Sequence, residues 1–245
     1  MSRPVQAADR DAEAVALLPV VWHSLSTRGY AHLDGLPEGF DHLGLLRRLG
    51  AVLPQYDGLP VWDLVAEPDM DDVYHSRNTR ALVPHTEGYE LAGTPPRYVA
   101  LWCVRPAEGP GGETTLADGR ALLDGFAAAD LALMRRAGYV WRSSEGLARR
   151  GVALQARHPI LSDHNGSVVL RYSGNNVFPA ATHGPVERDL LSRYRRAGDE
   201  LFARAHTAVA LARGDLLVWD NWRMLHSRNA FRDRRRHLKR VLLGT

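Results

Sequence analysis

Two segments about 140 residues apart constrain this chain more than any other feature, because they make chemical sense only if the fold brings them together. One is Pro84-His85-Thr86-Glu87. The other is Gly214-Asp215-Leu216-Leu217-Val218-Trp219-Asp220-Asn221, followed by His226 and then by Arg236 and Arg240. Residues i and i+2 of a strand project to one face, so His85 and Glu87 can point at a single ion. Two imidazoles and one carboxylate form the ligand set that holds a non-haem ferrous ion on one side and leaves the other side open. An arginine soon after the second histidine suits a site that must also hold a dicarboxylate.

The chain of 245 residues carries no internal repeat, low-complexity tract or linker, so residues 1–245 are expected to form a single domain. A chain of this size buries roughly 70–75% of its unfolded surface and needs no disulfide to fold. The one cysteine, Cys103, lies in the apolar run Tyr98-Val99-Ala100-Leu101-Trp102-Cys103-Val104 and reads as a small buried hydrophobe. That usage points to a reducing, cytoplasmic setting. Lys239 is the only lysine, and a net charge of +3 is too small to imply a polyanionic partner. The apolar stretch 15–22 contains Pro19 and follows Asp11 and Glu13, which suits an amphipathic surface helix rather than a signal peptide. No run approaches the ~20 apolar residues of a membrane span.

Helical spacing is expected over about 8–28, and apolar residues at three and four predict an amphipathic helix over 40–50. A short strand is expected at 29–33. Residues 54–84, rich in Pro, Asp and Tyr, have no clear period; so long a loop is uncommon unless it covers a site. Strand-like runs follow at 97–104, 113–116, 139–142, 152–158, 168–172, 216–219 and 238–243. Helices are expected over about 119–136, capped by Asp118, and over about 185–208. Many short strands and few helices predict a mainly β architecture, a sandwich or jelly roll with flanking helices. Its mouth would gather ligands from different strands.

The His-x-Glu pair alone is weak evidence. With 11 histidines and 28 acidic residues, about one His-x-Asp/Glu is expected by chance, and the chain has a second, His32-Leu33-Asp34. Context separates them. After His85 come Gly111-Gly112-Glu113-Thr114-Thr115-Leu116-Ala117-Asp118, the Gly-Asp strand, His226 and Arg228, and then Arg236-His237-Leu238-Lys239-Arg240. This ordered set resembles the taurine dioxygenase / clavaminate synthase-like superfamily of Fe(II)- and 2-oxoglutarate-dependent oxygenases, from about residue 29 to the C-terminus. The resemblance implies a double-stranded β-helix (cupin-like) core, with Fe(II), 2-oxoglutarate and O2 as cofactor and co-substrates. It places the metal ligands, the catalytic centre, on His85, Glu87 and His226.

By the same resemblance, 2-oxoglutarate is held by Thr114 and Arg236, and Arg240 meets an acidic group of the substrate. The gap between His226 and Arg236 is shorter than in most relatives, so Arg235 and Arg240 stay open as alternatives for the co-substrate. A glutamate at position 87 is closer to the branch that hydroxylates amino acids in peptide-antibiotic pathways. Relatives that halogenate lack this carboxylate. The implied reaction hydroxylates a C–H bond of a free amino acid or small amino-acid-derived intermediate, releasing succinate and CO2. Desaturation or cyclisation by the same oxidant, and a non-catalytic jelly-roll binding protein, are the alternatives.

Arg171, Asn175 and Asn78 are further candidates for contacting a small anionic or zwitterionic substrate; a turn on Gly174 and Asn175 competes with that reading. Asn78, Tyr89 and Trp62 could line the pocket, although a solvated loop is the favoured reading; Trp219 reads as core, and His237 as a hydrogen-bonding residue near the site. The run Arg232-Asp233-Arg234-Arg235-Arg236-His237-Leu238-Lys239-Arg240 could be a basic patch. Apolar residues woven through it favour a strand whose inward face presents Arg236, Leu238 and Arg240. Buried arginines need anions, which a paired acid and a dicarboxylate supply. No nucleic-acid or membrane partner is therefore expected.

Overall fold

The computed structural model describes residues 7–245. It opens with helix α1 (Ala7–Arg28), strand β1 (Tyr30–Leu33), helix α2 (His42–Arg47), and strands β2 (Val52–Leu53) and β3 (Trp62–Val65). A 3-10 turn at Pro68–Met70 follows, then β4 (Tyr98–Arg105) and β5 (Thr114–Asp118). Next come α3 (Gly119–Leu123), α4 (Ala128–Arg136), β6 (Tyr139–Arg142), α5 (Glu145–Arg149), β7 (Gln155–His158), β8 (Leu161–His164), β9 (Ser167–Leu170) and β10 (Val177–Phe178). The chain closes with α6 (Pro185–Ala205), β11 (Thr207–Val209), β12 (Leu216–Asp220), β13 (Met224–Arg228) and β14 (His237–Leu243).

One antiparallel sheet runs β1-β12-β4-β14-β2, with β3 also paired to β14. Its central strands read as continuous apolar runs because both faces are covered. Side chains alternate across the pleat. Val99, Leu101, Cys103, Leu217, Trp219, Leu238 and Leu242 face the second sheet. Tyr98, Ala100, Leu216, Val218, Val241 and Leu243 face outward beneath Ala14, Val21 and Leu25 of α1 and Leu45 and Leu46 of α2.

The second sheet has β11-β5-β13 as its ordered part. The segment around His85 extends it. His85 and His226 exchange both backbone bonds (2.9 and 2.8 Å), Leu82 N–H donates to Arg228 O (3.0 Å), and Thr86 N–H donates to Tyr172 O (2.9 Å). Outside it, Leu133 and Met134 of α4 and Leu190, Tyr194 and Leu201 of α6 pack with Ala117, Leu170, Tyr172 and Leu225. Two facing antiparallel sheets with helices outside form the expected jelly roll.

The departures from expectation have local causes. The helix over 119–136 is two helices, because α3 stops at Asp124 and the chain restarts beyond Gly125. Asp118 caps α3 as expected, accepting from Arg120 N–H at 3.0 Å. The run expected at 168–172 is β9, and β8, not expected, precedes it in a hairpin turned by Asn165 (φ 48°) and Gly166 (φ 76°), the positive-φ pair of a type I′ turn. His226, beyond the end of β12, sits in the middle of a strand of its own, β13. Cys103 is buried, and burial pushes its thiol up to about 11, which leaves it unreactive.

Candidate metal centre and its cavity

His85 and His226 are cross-strand neighbours, and their rings lie 4.2 Å apart between centroids. Glu87 follows two residues after His85 and projects to the same side. His226 Nε2 approaches Glu87 Oε2 at 3.8 Å. One ligand atom from each of His85, Glu87 and His226 lies within 4.8 Å of the others. Two strands therefore bring together what the sequence separates by 141 positions.

His85 and Glu87 are held from behind. His85 Nδ1 donates to Val83 O (2.8 Å), which fixes the tautomer and leaves the Nε2 lone pair free. Tyr74 donates its hydroxyl to the same carbonyl (3.0 Å). Burial drives both imidazoles below the usual histidine range, furthest for His226, where His85 and Arg240 add to the effect; both rings are neutral, the form that binds a metal. The Glu87 main chain is clamped by Asn221, whose Oδ1 accepts from Glu87 N–H (2.6 Å) and whose Nδ2 donates to Glu87 O (3.0 Å) and Pro96 O (2.9 Å). Asn221 is fully buried and was not singled out in the sequence, although it closes the Gly214–Asn221 block. Two neutral imidazoles and a carboxylate with one free oxygen suit ferrous iron.

These groups form one wall of a cavity offering about 100 Å³ of space for water centres, against roughly 10–15 Å³ for a single water, so it admits a small organic acid. Arg236, Arg228, Thr114 and Leu238 line it toward one end, Tyr56, Trp62, Glu90 and Arg240 toward the other, and Tyr74, His75, Tyr89 and Trp219 are also in its lining. Tyr56, Trp62, Tyr74 and His75 come from residues 54–84, which hold β3 and the 3-10 turn. Trp62 and Tyr89 are buried in that lining, not solvated.

The three arginines left open by the sequence separate cleanly. Arg235 is exposed and bonded to Asp233 and Glu108, outside the cavity. Arg236 is buried, donates to Gly112 O (2.8 Å) and lies over the Phe231 ring, with no carboxylate partner among the described residues. Arg240 donates to Glu87 Oε1 (2.9 Å) and Gln55 Oε1 (3.0 Å) and stacks on Trp62 (4.6 Å). A fourth, Arg228, was not given a role from sequence. It is buried beside Arg236 and donates to Ser76 O, Arg80 O and Asn78 Oδ1. Burial lowers Arg236 to about 10 and Arg228 to about 9, so both stay charged at neutral pH.

The remaining candidates lie elsewhere. Arg171 is buried away from the cavity, with its guanidinium on Ser162 Oγ (2.9 Å), because its strand turns that side chain toward the β8–β9 hairpin. Asn175 accepts from Ser173 Oγ (3.3 Å) and serves the turn. Asn78 is spent on the loop carbonyls of Val73 and Met70 and on Arg228, so it steadies a cavity arginine and does not itself reach the cavity. His237 pairs with Asp63 (2.5 Å) on the sheet's other face. His32, of the rival His-x-Asp, is spent on Asp215 (3.0 Å).

The family model described as taurine catabolism dioxygenase TauD, TfdA family matches residues 10–242. Tyrosine isonitrile desaturase of Pseudomonas aeruginosa is 32% identical over 256 aligned positions, covering 93% of this chain and 82% of that protein. Uridine-5'-phosphate dioxygenase of an Amycolatopsis species is 34% identical over 154 residues, 58% of this chain and only 53% of that enzyme. Among solved structures, the PvcB protein of Pseudomonas aeruginosa superimposes with a TM-score of 0.64 at 27% identity, covering 94% of this chain and 82% of that one. Asparagine oxygenase, in complex with Fe(II), 3-hydroxyasparagine and succinate, shares the fold with a TM-score of 0.74 at 18% identity, covering 100% and 86%. With the family matched over nearly its whole length, the chain belongs to the TauD/TfdA family and is an Fe(II)- and 2-oxoglutarate-dependent dioxygenase.

Proposed function

We propose that this enzyme oxidises a C–H bond of a free amino acid or a small amino-acid-derived intermediate, hydroxylation being the default outcome and desaturation the second reading. The relative named tyrosine isonitrile desaturase favours that second reading. One observation carries the assignment: His85, Glu87 and His226 converge on one wall of a cavity in which Arg236 stands buried without an acid.

His85, Glu87 and His226 hold the iron. When bound, iron activates dioxygen at the expense of 2-oxoglutarate, which is converted to succinate and CO2, and the substrate C–H bond is oxidised. The Arg236 guanidinium, with the Thr114 hydroxyl beside it on the cavity wall, receives the distal carboxylate of 2-oxoglutarate. Charge-assisted hydrogen bonds of this kind contribute about 1.5–3 kcal/mol, and the planar fork fixes orientation. Arg228 adds positive potential at that end. Arg240 steadies Glu87 and presents its charge to an acidic group on the substrate. Leu64, Val99, Leu101 and Leu238 keep the cavity dry, which strengthens each of these interactions.

Anaerobic addition of Fe(II) and 2-oxoglutarate should produce a visible charge-transfer band that His85→Ala abolishes. A protein showing no band, or a band unaffected by that substitution, would contradict the assignment and favour a non-catalytic jelly-roll binding protein.

A further inference from the structure

The cavity's charges are uncompensated in opposite senses at its two ends. Arg236 and Arg228 have no acid partner at one end among the described residues. At the other, Glu90 is 3% exposed, and no cation pairs with it among the described residues. Its Oε1 accepts a short hydrogen bond (2.5 Å) from the Tyr56 hydroxyl. The nearby guanidinium of Arg240 is already committed to Glu87 and Gln55. A buried carboxylate without a counter-charge is costly, and a fold keeps one where a ligand supplies the cation. The turn Gly88–Leu91 sets Glu90 three residues beyond Glu87, on the same stretch of wall as the metal ligands. Tyr56 and Tyr89 lie close to Glu90 on the cavity wall, and aromatic faces favour a desolvated cation.

We propose that Glu90, held in place by Tyr56, is the specificity-determining residue that receives the primary ammonium of the substrate. This rests on the oxygenase reading above and narrows it. The substrate carries a free amine, and acylating or removing that amine weakens recognition. An intermediate whose nitrogen is already masked is excluded. Burial and the charge of Glu87 raise the Glu90 carboxyl from its usual range, and a bound ammonium would lower it again.

The test uses the Fe(II)- and 2-oxoglutarate-loaded enzyme, the standard L-amino acids, their N-acetyl derivatives and their des-amino analogues. Succinate release and thermal shift are the two readouts. At least one free amino acid should stimulate succinate release and raise the melting temperature, with its N-acetyl form weaker by at least about tenfold. Glu90→Gln should raise KM for that amino acid by at least about tenfold, leave KM for 2-oxoglutarate unchanged and leave the weak binding of the des-amino analogue unchanged. Tyr56→Phe, which keeps the carboxylate but frees it, should give a smaller shift in the same parameter. Equal use of N-acetyl and free forms, stimulation by no amine, or an unchanged KM in both variants would overturn the proposal. Loss of the anaerobic charge-transfer band in the parent enzyme would instead remove the oxygenase reading, and this inference with it.

Discussion

At the scale of single residues, position on one strand decides which arginine serves which end of the cavity. Arg236 and Arg240 both reach the cavity from the inward side of β14, while Arg235 turns out to meet Asp233 and Glu108. Arg236 is buried with no acid partner among the described residues and, in the proposed function, receives the co-substrate, so its truncation should remove that interaction. Arg236→Ala should raise KM for 2-oxoglutarate by at least about thirtyfold, as expected when one partner of a buried charge pair is lost, and move KM for the amino-acid substrate far less. Arg235→Ala should change neither constant, because its pairs are exposed and worth under ~1 kcal/mol. Steady-state succinate release against each substrate checks both. The candidate ligands His85, Glu87 and His226, and Arg236, could be singled out from the sequence because the i, i+2 pair, the Gly-Asp strand and the following basic run keep a fixed order. Arg228, Asn221 and Glu90 were not assigned there. Their roles depend on partners far away in the chain: Asn78 for Arg228, the Glu87 main chain for Asn221, and Tyr56 for Glu90.

Among the elements, packing overrides local preference at α6. Gly198 lies inside that helix, where alanine would gain up to ~1 kcal/mol by propensity alone. A Cβ there would sit 2.2 Å from the Tyr172 ring, which is fully buried and bonded through its hydroxyl to Asp199 (3.0 Å) and Arg195 O (2.8 Å). Gly198→Ala should therefore destabilise by about 1–3 kcal/mol, as overpacking does, despite the better helix former. Urea unfolding would measure it, and a stabilised variant would show that α6 can slide off the sheet at little cost. The same contrast explains which elements could be read in advance. Strands β4 and β12 were evident because both faces are buried and their apolar runs are long, and β14 from the apolar residues woven into its basic run. Strand β13 was missed because His226, Ser227 and Arg228 make it look polar, and polarity there is the site itself. The β8–β9 hairpin was missed although Asn165-Gly166 is a turn signal, because its strands are only four residues each.

For the whole molecule, the metal centre is also a seam. His85 belongs to the segment that extends the second sheet, His226 to β13 within that sheet, and Glu87 is tied through Asn221 to the end of β12 in the first sheet. Occupying the centre therefore joins the two sheets at the point where irregular chain enters the barrel. Ligands that bind only the folded state stabilise it by mass action, about 2.7 kcal/mol at a concentration 100 times Kd. For a domain of this size, each kcal/mol moves the melting temperature by roughly 2–4 °C. Anaerobic Fe(II) with 2-oxoglutarate should thus raise the melting temperature by roughly 5–10 °C. A chelator should reverse the gain, and His226→Ala should lose it. Arg236→Ala should keep the part due to iron and lose the part due to the organic acid. Scanning calorimetry on the three proteins separates these contributions. A gain in His226→Ala as large as in the parent would mean that the metal binds elsewhere and that the seam between the sheets is held by protein contacts alone.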